Sequence, residues 1–288
     1  MNQGLVGYVE ILSVVVCWSI ISGALIPWIQ LDPFVLYPIS AFIAALTCLA
    51  LCFAQWRTIW GSLHYELLWP LFHICLLVGL NNLLFFAALK TTSVANAILT
   101  HYLCPLLLVT VFAPLILRER ILRKHLISAV LGLLGLFVVL WDQFGADTLN
   151  IGLVWGFASA IFYAWHLTLE SRLATLTTLH PAAAAVFKHG LPALILSPVA
   201  LDHIVANGLN LADFGKLFLL GSFGFTFILQ YRGLGKISSQ EAAILFYGEP
   251  IAAIFWAYII WSQPVSFATF VGGTLIVAAG IIAIRGRQ

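Results

Sequence analysis

Charge is what this chain has least of. Only 8% of its 288 residues are Asp, Glu, Lys or Arg, against about 25% in an ordinary water-soluble domain. So few charges cannot cover a surface that faces water, which excludes a soluble globular protein. Long polar loops are missing too, so there is no room for a separate catalytic or nucleotide-binding module. No Gly-x-x-x-x-Gly-Lys-Ser/Thr loop occurs, and direct use of ATP is not expected. His-x-x-x-His and Glu-x-x-His pairs are absent from the apolar stretches, and "HLTLE" (His166 and Glu170) is the nearest approach to an acid/base pair. No metal site, cofactor or nucleic-acid partner is predicted. Cys17, Cys48, Cys52, Cys75 and Cys104 lie inside apolar runs without metal-site spacing and read as small apolar fillers. The first apolar run lacks a basic leader and a small-residue cleavage site, and reads as a retained helix.

What is present is apolar: 62% of the residues are hydrophobic, with mean hydropathy +1.05. The runs are continuous, not alternating, so they predict membrane-crossing helices and not a β-barrel. Ten spans are expected, at 5–26, 33–54, 67–89, 93–117, 124–141, 150–172, 182–200, 213–234, 239–261 and 266–284. The seventh is short and carries Lys188, His189, Gly190 and Pro192. Ten spans place both termini on one side. Arg57, Arg118, Arg120, Arg123, Lys124, Arg172, Arg232, Lys236, Arg285 and Arg287 then share the terminal side. The other side has Lys90 and Lys216, with Asp32, Asp142, Asp147, Asp202 and Asp213. By the positive-inside rule the termini are cytoplasmic, in a multi-pass protein of the inner (plasma) membrane.

A repeat runs through the chain at an offset of 145 residues. Gly7, Gly79 and Gly135 match Gly152, Gly224 and Gly280. Leu89, Ser93, Ala97, Tyr102 and Pro105 match Leu234, Ser238, Ala242, Tyr247 and Pro250. Each half, 1–143 and 144–288, holds five helices, and an odd number makes the halves cross the membrane in opposite senses. The predicted fold is an all-α membrane protein of ten helices in an inverted-topology 5+5 repeat. That architecture belongs to secondary transporters, with the substrate at the interface of the repeats.

The proline-bearing fourth helix "THYLCPLLLVTVFAPLILRERI" and its echo "FYGEPIAAIFWAYIIWSQPVS" are each followed by a glycine-bearing helix, "ISAVLGLLGLFVVL" and "FVGGTLIVAAGIIAI". In these motifs, over nearly its whole length, the chain resembles the drug/metabolite transporter superfamily in its EamA-like branch. The acid of "RERI", Glu119, is similar to the usual family residue there, whereas the second copy has Pro264 at the equivalent place. The resemblance implies a central cavity lined by helices three, four, eight and nine, with helices one and six as movable walls. It also implies that helices five and ten are peripheral, where they could support a dimer; a monomer and a homodimer both stay open. The scaffold carries amino acids, sugars, amines, nucleotide-sugars and drugs.

Polar residues inside the spans are the candidates for function, because an ionised side chain at the bilayer centre costs about 2.5–3.5 kcal/mol. Glu249 lies about 15 Å into its helix, near the midplane, and reads as a proton carrier or as the partner of a substrate cation. His101 is a second proton candidate. Tyr102, His101, Asn81, Tyr247, Glu249, Gln230, Trp18 and Trp165 are expected to bind a small-molecule substrate in the cavity. Pro105 and Pro250 remove backbone donors and are expected to kink the fourth and ninth helices, freeing the carbonyls of His101 and Phe246. Lys188 either snorkels or answers a buried acid. The reading is a secondary transporter of an amino acid or amine-type metabolite, exporting it by alternating access with possible proton coupling. The alternatives are an intramembrane enzyme, or a facilitative uptake carrier for a quaternary amine or sugar.

Overall fold

A computed structural model describes residues 3–92, 94–141, 151–262 and 265–285. Ser93, Asp142, Asp147, Pro264, Arg287 and the 143/144 boundary between the halves lie outside these residues, as does the side chain of Lys90. The described chain is helical, in ten long segments. They are α1 (Gln3–Leu25), α2 (Pro33–Leu51), α3 (Tyr65–Leu89), α4 (Asn96–Leu117), α5 (Arg123–Val139), α6 (Ile151–Leu176), α7 (Pro181–Asn207), α8 (Leu211–Leu234), α9 (Ser239–Trp261) and α10 (Phe267–Ile284). Nine are at least 18 residues long and apolar enough to cross a bilayer; α5 has 17 residues. The protein is a multi-pass membrane protein. The seventh segment, expected to be short, is a full 27-residue helix that keeps Pro192 and Pro198 inside it. The second ends early, at Leu51, and a short helix, Trp56–Gly61, follows before α3.

Loops are short because side chains close the helix starts. Asp32 accepts from the amide of Phe34 ahead of Pro33, and His180 accepts from the amide of Ala182 ahead of Pro181. Ser238 and Glu241 form a capping box at the start of α9.

The packing carries the repeat into three dimensions. A Cβ added to Gly7 on α1 would meet Lys236 and Ile237, in the turn between α8 and α9. A Cβ added to Gly152 on α6 would meet Thr91 and Thr92, in the turn between α3 and α4. Each of these partners lies 145 positions from its counterpart. The first helix of each half therefore lies on the same turn of the other half. Helices α5 and α10 cross backbone to backbone, Gly135 against Gly272, with an added Cβ at Gly135 only 2.7 Å from the Gly272 carbonyl oxygen.

The two ends of the bundle differ. On the side of the termini the halves are pinned together. Glu10 on α1 pairs with Arg232 (2.9 Å) and with Lys236. Glu119, after α4, accepts from Gln240 (2.8 Å) and Ser239 on α9, and His125 contacts the Gln240 carbonyl oxygen at 2.9 Å. Ile11, Val14, Leu108, Leu167, Leu234 and Leu245 fill the space above these contacts. Towards the other side the bundle is hollow.

Candidate functional site

The hollow is a cavity of about 550 Å³ between the halves. Its walls start at mid-helix and run away from the termini, to Ile26, Leu36, Leu140 and Leu220. Helices α1 to α4 and α6 to α9 all supply side chains, so α2 (Tyr37, Ser40, Ala41) and α7 (Lys188, His189) join the helices expected from the sequence.

Trp18, Asn81, His101, Tyr102, Glu249 and Pro250 line this space. The Trp18 indole N–H donates to Thr226 (2.9 Å), and its ring stacks on Phe246 at 5.4 Å. Asn81 is 5% exposed, and its amide oxygen has no partner among the described residues. His101 is wedged between Phe85 and Tyr163, with centroids 4.3 and 5.2 Å away, and its Nδ1 meets the Ser159 hydroxyl at 2.8 Å. The hydroxyls of Tyr102 and Ser22 adjoin the Glu249 carboxylate.

Three predicted site residues need correction, and so does the freed carbonyl of Phe246. Tyr247 does not line the cavity. Its ring is fully buried among Leu136, Val139 and Ile276, tight against Gly132. The cavity face of α9 runs Pro250, Ala253, Ile254, Ala257. Tyr247 precedes Glu249 by two residues and so lies about 200° around the helix from it. Trp165 is 38% exposed on the outer face of α6, stacked on Phe112, while its neighbour His166 lines the cavity. Gln230 is 0% exposed and sits behind the wall, where it serves Lys188. Pro105 is buried outside the cavity lining, and only Pro250 reaches it. Both helices do break one turn ahead of their prolines, α4 after His101 and α9 after Leu245. The Phe246 carbonyl is not left free, however, because the Glu249 amide donates to it at 3.0 Å.

The main residue absent from the predicted site is Lys188. It is 4% exposed, lines the cavity, and donates to Glu170 (2.7 Å) and Gln230 (2.7 Å). His166 stands 3.8 Å from the same Glu170 oxygen. Phe227 lies under the Lys188 ammonium at 5.4 Å and its ring meets that of His189, tilted, at 3.6 Å. The signal was a lysine in the middle of a span, but its partner is 18 residues away on another helix, and no local pattern identifies it. Lys188 and Glu170 cancel each other. Glu249 has no cationic partner among the described residues, so the wall carries one unmatched acid.

Known proteins agree with this architecture. The EamA-like transporter family matches residues 5–141 and 150–285. A protein of Archaeoglobus fulgidus described as an uncharacterized transporter is 27% identical over 207 residues, 70% of this chain and 71% of the relative. A second uncharacterized transporter of the same organism is 25% identical over 183 residues, 62% of this chain and 64% of its own length. A solved structure described only as "Crystal structure of protein" superposes with TM-score 0.78 over 98% of this chain and 96% of its own, at 23% identity, which shows a shared fold. With two five-helix halves, each matched in turn by the same family and enclosing one cavity between them, the chain belongs to the EamA-like transporter family.

Proposed function

We propose that this transporter is a secondary carrier for a small organic cation, an amine-type metabolite or an amino acid held by its amino group, working by alternating access. The charge balance of the cavity carries the reading. Lys188 is spent on Glu170, and Glu249 is the acid without a cation. An unmatched carboxylate in a low-dielectric wall is costly. A proton relieves that cost, and so does the ammonium group of a substrate, but not both at once. Competition for one carboxylate couples the two flows: protons entering the cell displace substrate leaving it. The aromatic rings of Trp18, Phe85, Tyr163 and Phe227 suit a cation with an apolar body.

The remaining assignments follow the charge pattern. The excess of Lys and Arg on the terminal side supports cytoplasmic termini in the inner membrane. The cavity, on the other side, then belongs to the outward-open state, with the contacts at Glu10 and Glu119 as the closed inner gate. One chain encloses the whole cavity, so a monomer suffices for transport.

Counterflow in proteoliposomes tests the reading. Labelled amines are expected to exchange saturably and to emerge chemically unchanged. Glu249→Gln is expected to lower exchange by about tenfold or more and to flatten its pH dependence. A Glu249→Gln protein with the wild-type pH profile would remove the proposed coupling.

A further inference from the structure

The hydrogen bonds around His101 favour one of its two neutral tautomers. The Ser159 hydroxyl donates to the Gly156 carbonyl oxygen at 2.7 Å. With that hydrogen directed at Gly156, the Ser159 oxygen accepts from His101 Nδ1, at 2.8 Å. In this arrangement Nδ1 bears the hydrogen, and in a neutral ring Nε2 keeps the lone pair. The ring that presents this lone pair lines the cavity, held in place by Phe85 and Tyr163. The next residue, Tyr102, adjoins Glu249. This corner of the cavity thus offers two hydrogen-bond acceptors, an imidazole nitrogen and a carboxylate.

We propose that this corner selects amines that carry N–H bonds, and that it rejects quaternary ammonium ions through His101, with Ser159 as the residue that positions it. The inference rests on the cation reading of Glu249 given above and adds to it. Charge alone does not separate the two kinds of cation, since both are attracted by a carboxylate and by aromatic faces. Hydrogen bonding does. A primary ammonium has three N–H donors and satisfies both acceptors, whereas a trimethylammonium has none and leaves a buried lone pair facing methyl groups. Sites built around hydrogen bonds discriminate strongly against analogues that cannot make them. Ser159 acts at one remove. Without its oxygen nothing holds the hydrogen on Nδ1, and a ring protonated on Nε2 turns a donor towards the ammonium. The repeat mates of His101 and Ser159 are Phe246 and Val14, so only one such corner exists in the two halves.

Binding of 2-phenylethylamine and of its N,N,N-trimethyl analogue to the purified full chain, followed by titration calorimetry, tests this. The wild type is expected to prefer the primary amine by about 10- to 100-fold. Ser159→Ala and His101→Phe should both abolish the preference by weakening the primary amine, and His101→Phe, which removes the lone pair opposed to the methyl groups, should also strengthen the quaternary one, while Ser159→Thr should retain the preference. Equal affinities in the wild type, or parallel losses for both compounds in the variants, would overturn the proposal. Glu249→Gln should weaken both compounds. If it weakens neither, or if the wild type binds neither, the cation reading itself fails, and the selectivity argument with it.

Discussion

The two halves of the molecule build one cavity, but they furnish it differently. The first half contributes Trp18, Asn81, His101 and Tyr102, with neither a carboxylate nor an ammonium among them. The carboxylate and the ammonium on the wall both come from the second: Glu249 and Lys188. The repeat mates of Lys188, Glu170, Gln230 and Glu249 are Ile43, Leu25, Phe85 and Cys104. Ile43 and Cys104 are simply buried in apolar clusters. The shared features, by contrast, are backbone features: glycines where helices cross, and a break ahead of Pro105 and Pro250. The lesson is that the symmetric positions build a scaffold that can rearrange, whereas the asymmetric ones determine what it holds.

The sharpest way to break this comparison is to turn the second half into the first at its charge cluster. Lys188→Met alone strands Glu170 and Gln230 in the interior and should cost about 3–5 kcal/mol. Adding Glu170→Leu, which supplies the side chain found at the first-half position, should recover most of that loss. Thermal unfolding in detergent reads both variants. If the double variant is no more stable than the single one, the pair is not the closed, self-neutralising unit described here, and the charge balance that isolates Glu249 falls with it.

A smaller effect concerns what joins the halves. Glu10→Gln removes the charge that binds Arg232 and Lys236 across the repeat interface on the terminal side. Charged hydrogen bonds of this kind are worth about 1.5–3 kcal/mol when sheltered, and less here, because Arg232 is 49% exposed in its side chain. The variant should admit a thiol reagent more readily to a cysteine placed on the terminal-side stretch of α1. Unchanged labelling would show that apolar packing alone closes that end.

The smallest effect sets two helix starts against each other. Helices α2 and α7 are counterparts, and both begin at a proline, but Asp32 caps the first and His180 the second. His180 accepts the Ala182 amide through Nδ1 while its Nε2 meets Gln55 at 2.8 Å, which requires the neutral ring. Burial disfavours the imidazolium and lowers the His180 pKa below the usual histidine value. The cap is therefore fully present above the ordinary histidine range, and it is lost as pH falls through the lowered value. Amide hydrogen exchange should show the first turn of α7 losing protection across that fall while the first turn of α2 keeps its own. Equal behaviour of the two turns would remove the role given to His180.

Much of this protein is legible in one dimension. Hydropathy is a local sum, so the ten spans follow from composition within windows of about twenty residues. The 145-residue offset is a comparison of letters, and it places the breaks in α4 and α9 because proline acts on its own helix. Glu249 as the acid of the cavity is legible for the same reason, since its depth depends only on its distance from the helix start. What the folded chain alone decided is which side chains face each other. Lys188 could have snorkelled, and its ion pair with Glu170 exists because α6 and α7 bring the two within 2.7 Å. Tyr247 and Trp165 have the composition of cavity residues but point away from it, because rotations of about 200° and about 100° separate them from the wall residues Glu249 and His166. The ring of His101 is anchored at Nδ1 by a serine 58 residues away. Membrane insertion is governed by sums over a segment, and recognition by distances between segments. The first can be read from the sequence, and the second needs the fold.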